Sequence, residues 1–150
     1  MTKLEFFGAL SNIATAIGVG FAAWQLFTTR KQAATTFEDS LTNQYRTLIE
    51  RIPVAALFGE TLDPQKQADL LSHFYRYFDL CNEQAFLHKE GRISDETWKN
   101  WKDGITSNLG RPAFADAWAQ VAARAPSDFD HLRSLCPPLH TPPQQIVPKR

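Results

Sequence analysis

The sequence predicts an all-α protein, and three observations carry that prediction. No segment alternates apolar and polar residues with the period of a strand over a useful length. Apolar residues instead recur at steps of three and four between successive proline, glycine and capping signals. Near the N-terminus, Phe6 to Phe27 reads FFGALSNIATAIGVGFAAWQLF without a charged residue. At ~1.5 Å rise per residue such a run reaches roughly 33 Å, the thickness of a bilayer's hydrocarbon core. The expected architecture is a transmembrane helix continuing into a long juxtamembrane helix, then a small helical bundle and a disordered proline-rich tail. The expected divisions are a leader over 1–5, the membrane helix over 6–27, a cytoplasmic helical domain over 28–136 and the tail over 137–150.

The uncharged run is not uniformly apolar. Ser11, Asn12 and Thr15 interrupt it, and Ala14, Ala16, Gly18 and Gly20 dilute it. Ala14, Gly18 and Ala22 recur every four residues, a small-xxx-small face along which two backbones can approach closely in a bilayer. Two other readings compete with the anchor. A secretory signal peptide also has a basic start and an apolar core, and Gly20-Phe21-Ala22 offers small residues for cleavage. A helix buried in a soluble protein is the third, although the remaining chain is short for covering it on all sides. Arg30 and Lys31 come directly after the run, against Lys3 and the terminal amine before it. That bias points to a single-pass protein with its C-terminal domain in the cytoplasm.

Length and composition restrict the rest of the chain. It has 150 residues, so the part beyond the anchor makes one small domain. Sixteen acidic and sixteen basic residues balance to zero, with no basic stripe of the kind nucleic-acid binding requires. Cys81 and Cys136 lack CxxC spacing; free thiols in a reducing cytoplasm fit them best, and one disulfide in an oxidising compartment is the alternative.

From Phe21 to Ile52 there is neither Gly nor Pro, and Phe37, Leu41, Tyr45, Leu48 and Ile52 form one amphipathic stripe. The anchor is expected to run on as one long helix, with a kink near Thr28-Thr29, and the stripe to pack within the protein's own domain rather than as a dimer seam. Pro53 ends this helix or begins a short one over Val54–Phe58, stopped at Gly59. Asp63-Pro64 is a cap followed by proline at the first helical position, opening a helix to about Glu90 with Gly91 as its breaker. Its apolar face holds Leu70, Leu71, Phe74, Phe78, Cys81 and Ala85, with Asn82 on the rim. Leu80 and Leu87 form a second, smaller patch. Ser94 caps the next helix, with Ile93 and Trp98 as a hydrophobic staple and Trp98, Trp101, Ile105 and Leu109 as its stripe, to Gly110. Pro112 opens a helix carrying Phe114, Trp118 and Val121. Pro126-Ser127 opens a last short one with Phe129, Leu132 and Leu135. From Pro137 the segment PPLHTPPQQIVPKR lacks PxxP spacing and reads as a tail.

Few residues offer chemistry. Arg76, Asp79, Asn82 and Glu83 are the densest polar group near the core, with Asp79 and Glu83 one turn apart. They read as a hydrogen-bonded network reaching Arg46, Glu50 or Arg111. The rival reading is a divalent-ion or acid–base site of a membrane-bound metal-dependent enzyme built on Asp79, Asn82 and Glu83. His131, Cys136 and His140 lack the paired spacing of zinc ligands. Cys81 reads as a small hydrophobe, and His73 and His88 as edge residues. There is no glycine-rich phosphate loop and no nucleophile elbow. No catalytic residue, metal ligand or cofactor is therefore assigned.

Over FYRYFDLCNEQAFLHKEGRISDETWKNWKDGI, Phe74 to Ile105, the chain resembles small bacterial single-pass membrane proteins of a domain-of-unknown-function family. The likeness lies in one N-terminal membrane helix, a long juxtamembrane helix, a Tyr-Phe-Asp-Leu-x-Asn-Glu stretch and a following helix with paired tryptophans, and extends over most of residues 6–120. It implies a bacterial inner-membrane location and a helical cytoplasmic domain, and no activity. The expected function is a membrane-anchored interaction or assembly module whose partners are the lipid bilayer and a protein or a second copy. Leu80 and Leu87 form its expected contact surface. A sensor relaying a membrane signal through the long helix is the further alternative.

Overall fold

The computed structural model describes the backbone of residues 3–135 and the side chains of residues 15–135. The described chain forms six helices: α1 Lys3–Ile49, α2 Val54–Leu57, α3 Pro64–Lys89, α4 Asp95–Leu109, α5 Pro112–Arg124 and α6 Asp130–Leu135. No strand occurs among the described residues, so the all-α expectation stands. Residues 137–150, Cys136 and His140 lie outside them, as do the side chains of the leader 1–5 and of Ala14.

Two compact units divide the chain, residues 1–40 and 41–150. In the first, α1 begins at Lys3, before the uncharged run, and passes through Thr28-Thr29 without a break in the helix. The Thr28 hydroxyl donates to the Trp24 carbonyl at 3.0 Å, so its polar group is satisfied inside its own helix. Side chains 15–40 are exposed except for Thr28, Phe37 and Glu38, which are half-buried. No helix among the described residues is long and apolar enough to cross a membrane. The transmembrane span expected over 6–27 thus gains no support from the hydropathy of the described part, which Thr15 and the small residues lower.

The second unit is built on α3, which packs against α4, α5 and α6. Its start and stop are the signalled ones. Asp63 Oδ1 accepts from the backbone N–H of Gln65 at 2.9 Å and Lys66 at 3.5 Å. At the far end Gly91 takes φ +68°, a conformation a side chain would strain. There Gly91 N–H donates to His88 O and Arg92 N–H to Leu87 O, both at 2.9 Å, closing two of the helix's last carbonyls. Ser94 Oγ caps α4 by accepting from Thr97 N–H at 3.3 Å. Pro112 stands at the start of α5, where its missing N–H costs nothing.

Aromatic rings fill the centre. Phe74 meets Phe114 edge-on at 5.1 Å, Phe78 meets Trp118 at 5.1 Å, and Tyr77 meets Phe114 at 5.3 Å. Phe74, Tyr77, Phe78, Phe114 and Leu132 are fully buried. From Leu41 onward the amphipathic stripe of α1 joins this unit: Leu41 and Ile52 are buried, Tyr45 and Leu48 half-buried.

This packing corrects one expectation. Leu80 and Leu87 are each 4% exposed and cannot be a partner surface. A helix covered by three neighbours has no single core face. Tyr77, Leu80, Gln84 and Leu87, at steps of three, four and three, make a second buried stripe beside the first.

Candidate functional site

Three regions bear on function: the apolar surface of the first unit, the polar residues of α3, and a cavity beside α4.

Between Ile17 and Phe27, every large apolar side chain is exposed: Ile17 at 67%, Val19, Phe21, Trp24, Leu26, and Phe27 at 70%. At about 100° per residue these six fall on opposite sides of the helix rather than in one stripe, since Val19 and Leu26 project opposite Ile17, Phe21 and Trp24, and Gly18, Ala22 and Gln25 take the sector between. The helix therefore carries large apolar side chains on opposite sides, with no charged residue from Phe6 until Arg30. Of the small-residue face, Gly18 and Ala22 are exposed. A Cβ added at Gly18 would meet nothing within 4 Å, so the face is open.

The expected polar network on α3 does not form. Arg76, Asp79 and Glu83 are exposed, and no described residue pairs with them. Asn82 alone of the four is engaged. Its Oδ1 accepts from the backbone N–H of His131 and of Leu132, each at 3.1 Å. Those are free donors of the first turn of α6, so Asn82 caps that helix from across the fold. The physical reason is placement. On the rim of the core face, Asn82 meets the incoming chain, whereas Asp79 and Glu83 lie beyond the rim and find water. No group of His, Cys, Asp or Glu among the described residues is placed to hold a metal ion.

Buried polarity lies elsewhere. Asn108 Nδ2 donates to the Tyr77 hydroxyl at 2.9 Å, and Arg111 Nη1 donates to Asn108 Oδ1. Gln67 Nε2 donates to Ala113 O at 2.7 Å, tying α3 to the first turn of α5. Burial first, then the nearby Cys81 thiol, holds the Tyr77 hydroxyl well above the usual tyrosine range, so it stays protonated. Arg111, expected as a partner of the α3 carboxylates, serves Asn108 instead. Arg133 closes the end of α5, donating to Asp128 O at 2.7 Å, Ala125 O at 2.8 Å and Ala122 O at 3.2 Å. Its guanidinium also lies 5.5 Å from the centre of the Trp118 ring. Cys81 is buried, as a small core residue. These bonds tie the helices of the second unit together.

The cavity, about 170 Å³, is lined by Thr42, Tyr45, Gln84, Asn100, Trp101, Gly104 and Ile105. Sequence reasoning passed over its central residue, Gln84. The signal was the second stripe of α3, which is visible only if Tyr77 and Gln84 are counted as core positions.

Neither a protein-family model, a curated protein nor a solved structure matches the chain.

Proposed function

We propose that the chain is a non-catalytic helical module held at a membrane by its N-terminal helix, with the 41–135 domain on the cytoplasmic side, free to meet a protein partner or a second copy. The observation that carries this reading is the exposure of Ile17, Val19, Phe21, Trp24, Leu26 and Phe27 on one uncharged stretch of α1. A helix with large apolar side chains on opposite sides calls for apolar surroundings on both, and a bilayer supplies them without a large protein. Thr28, its hydroxyl donating to the Trp24 carbonyl, adds no unsatisfied group. Arg30 and Lys31 directly after the run support a cytoplasmic place for the C-terminal domain, in a bacterial inner membrane. The open face at Gly18 and Ala22 supports close approach of two such helices.

The test is membrane fractionation of the full chain with a C-terminal tag. The protein should resist carbonate, come out with detergent, and keep its tag protected from periplasmic protease. Ile17→Lys with Phe21→Lys should release it. Full-length protein in the soluble fraction would overturn the anchor and place the apolar helix inside an oligomer.

A further inference from the structure

The cavity beside α4 holds an unusual group. Gln84 is 3% exposed, yet no described residue forms a hydrogen bond with its side-chain amide. No polar atom sealed from solvent lacks a partner among the described residues, so the Gln84 amide must reach solvent through the cavity it lines. A core helix position that keeps an unbonded amide forgoes apolar packing there, and the amide is left with donor and acceptor capacity to offer.

The surroundings define what can accept that offer. None of the lining residues is charged, so a charged ligand would lose its hydration without a counter-charge. Tyr45 and Trp101 present aromatic surface, and Ile105 an apolar wall. Gly104 leaves its side open, with nothing within 4 Å of a Cβ built on it. At about 170 Å³ the space is smaller than drug-sized sites.

We propose that this cavity is a binding site for a small, uncharged, single-ring aromatic carboxamide, its amide paired with Gln84 and its ring flanked by Tyr45 and Trp101. A carboxamide presents a donor and an acceptor on one edge, the complement of the glutamine amide. The site lies wholly within residues 41–135 and does not depend on how the N-terminal helix is covered.

The test uses the full chain, labelled with ¹⁵N and titrated with benzamide. The Gln84 side-chain amide and Trp101 indole N–H signals should shift and saturate, and benzoate at the same concentrations should leave them unmoved. Gly104→Leu adds a side chain whose Cβ meets nothing within 4 Å and removes a helix-interior glycine, so it should weaken binding at least tenfold while the melting temperature holds or rises. Gln84→Leu should abolish binding; its melting temperature, measured alongside, shows that the fold survives. Absence of saturation, benzoate binding as well as benzamide, or undiminished binding in Gly104→Leu would each overturn the proposal.

Discussion

Replacing Asn82 with alanine removes the acceptor for two backbone donors, the N–H groups of His131 and Leu132. Loss of a capping side chain costs about 0.5–2 kcal/mol. The two donors are partly buried, so water reaches them incompletely and the upper half of that range, about 1–2 kcal/mol, is expected. Against this stands what α6 gains by docking. Leu132 is fully buried, worth about 1.5–3 kcal/mol. The loss is comparable with the gain, so α6 should open locally while α3, α4 and α5 stay packed. Urea unfolding should report a loss of about 1–2 kcal/mol, and amide exchange at His131 and Leu132 should quicken by roughly tenfold. Asn82→Asp keeps an acceptor and places a negative charge at a helix N-terminus, so it should retain the stability. If Asn82→Ala unfolds like the parent chain and exchange at these two amides is unchanged, the capping assignment is wrong.

Three further outcomes rest on the same geometry. Asp79→Asn with Glu83→Gln, at exposed and unpaired positions, should change stability by less than about 0.5 kcal/mol, and added divalent cations should not move the melting temperature of the parent chain. Leu80→Asp with Leu87→Asp should prevent folding of the second unit, seen as lost near-ultraviolet circular dichroism, because each places a charge in the core against a total stability of about 5–15 kcal/mol. Tyr77→Phe should cost about 1–3 kcal/mol by orphaning Asn108 Nδ2. The pH dependence has a definite sign. The folded state holds the Tyr77 proton more tightly than the unfolded state, whose tyrosine titrates near 10. The resulting stability is complete below about pH 10 and is lost as pH rises above it toward the folded value. Chemical unfolding between pH 9 and 11 should show this decline steeper in the parent than in Tyr77→Phe.

Helix boundaries were legible because local chemistry sets them. Asp63-Pro64, Gly91, Ser94 and Pro112 each act within one turn of chain, and each stands where a boundary forms. Faces were legible where burial follows a single stripe of apolar residues: that of α4 holds, with Trp98, Ile105 and Leu109 buried. On α3 the second face went unread because its pattern includes Tyr77 and Gln84, whose polar atoms disguise core positions. The role of Asn82 was illegible for a different reason. Its partners lie 49 and 50 residues away, and nothing near Asn82 in the chain announces them. Arg133 is similar: its acceptors are carbonyls exposed by the end of α5, which exist as targets only after that helix has formed. The exposure of apolar residues on opposite sides of α1 from Ile17 to Phe27, by contrast, is the direct result of an uncharged run longer than one face can absorb.

The span between Asn82 and the α6 amides also sets an order of events during synthesis. The N-terminal apolar stretch is complete before any residue of α3 exists. When α3 leaves the ribosome, the place for Leu132 on it is vacant, and its occupant is 50 residues behind Asn82. At roughly 5–20 residues per second the wait is about 3–10 seconds. During that interval the nascent chain shows aromatic surface to whatever chaperone stands at the tunnel exit. A ribosome stalled shortly before codon 130 would hold the chain tethered in that state.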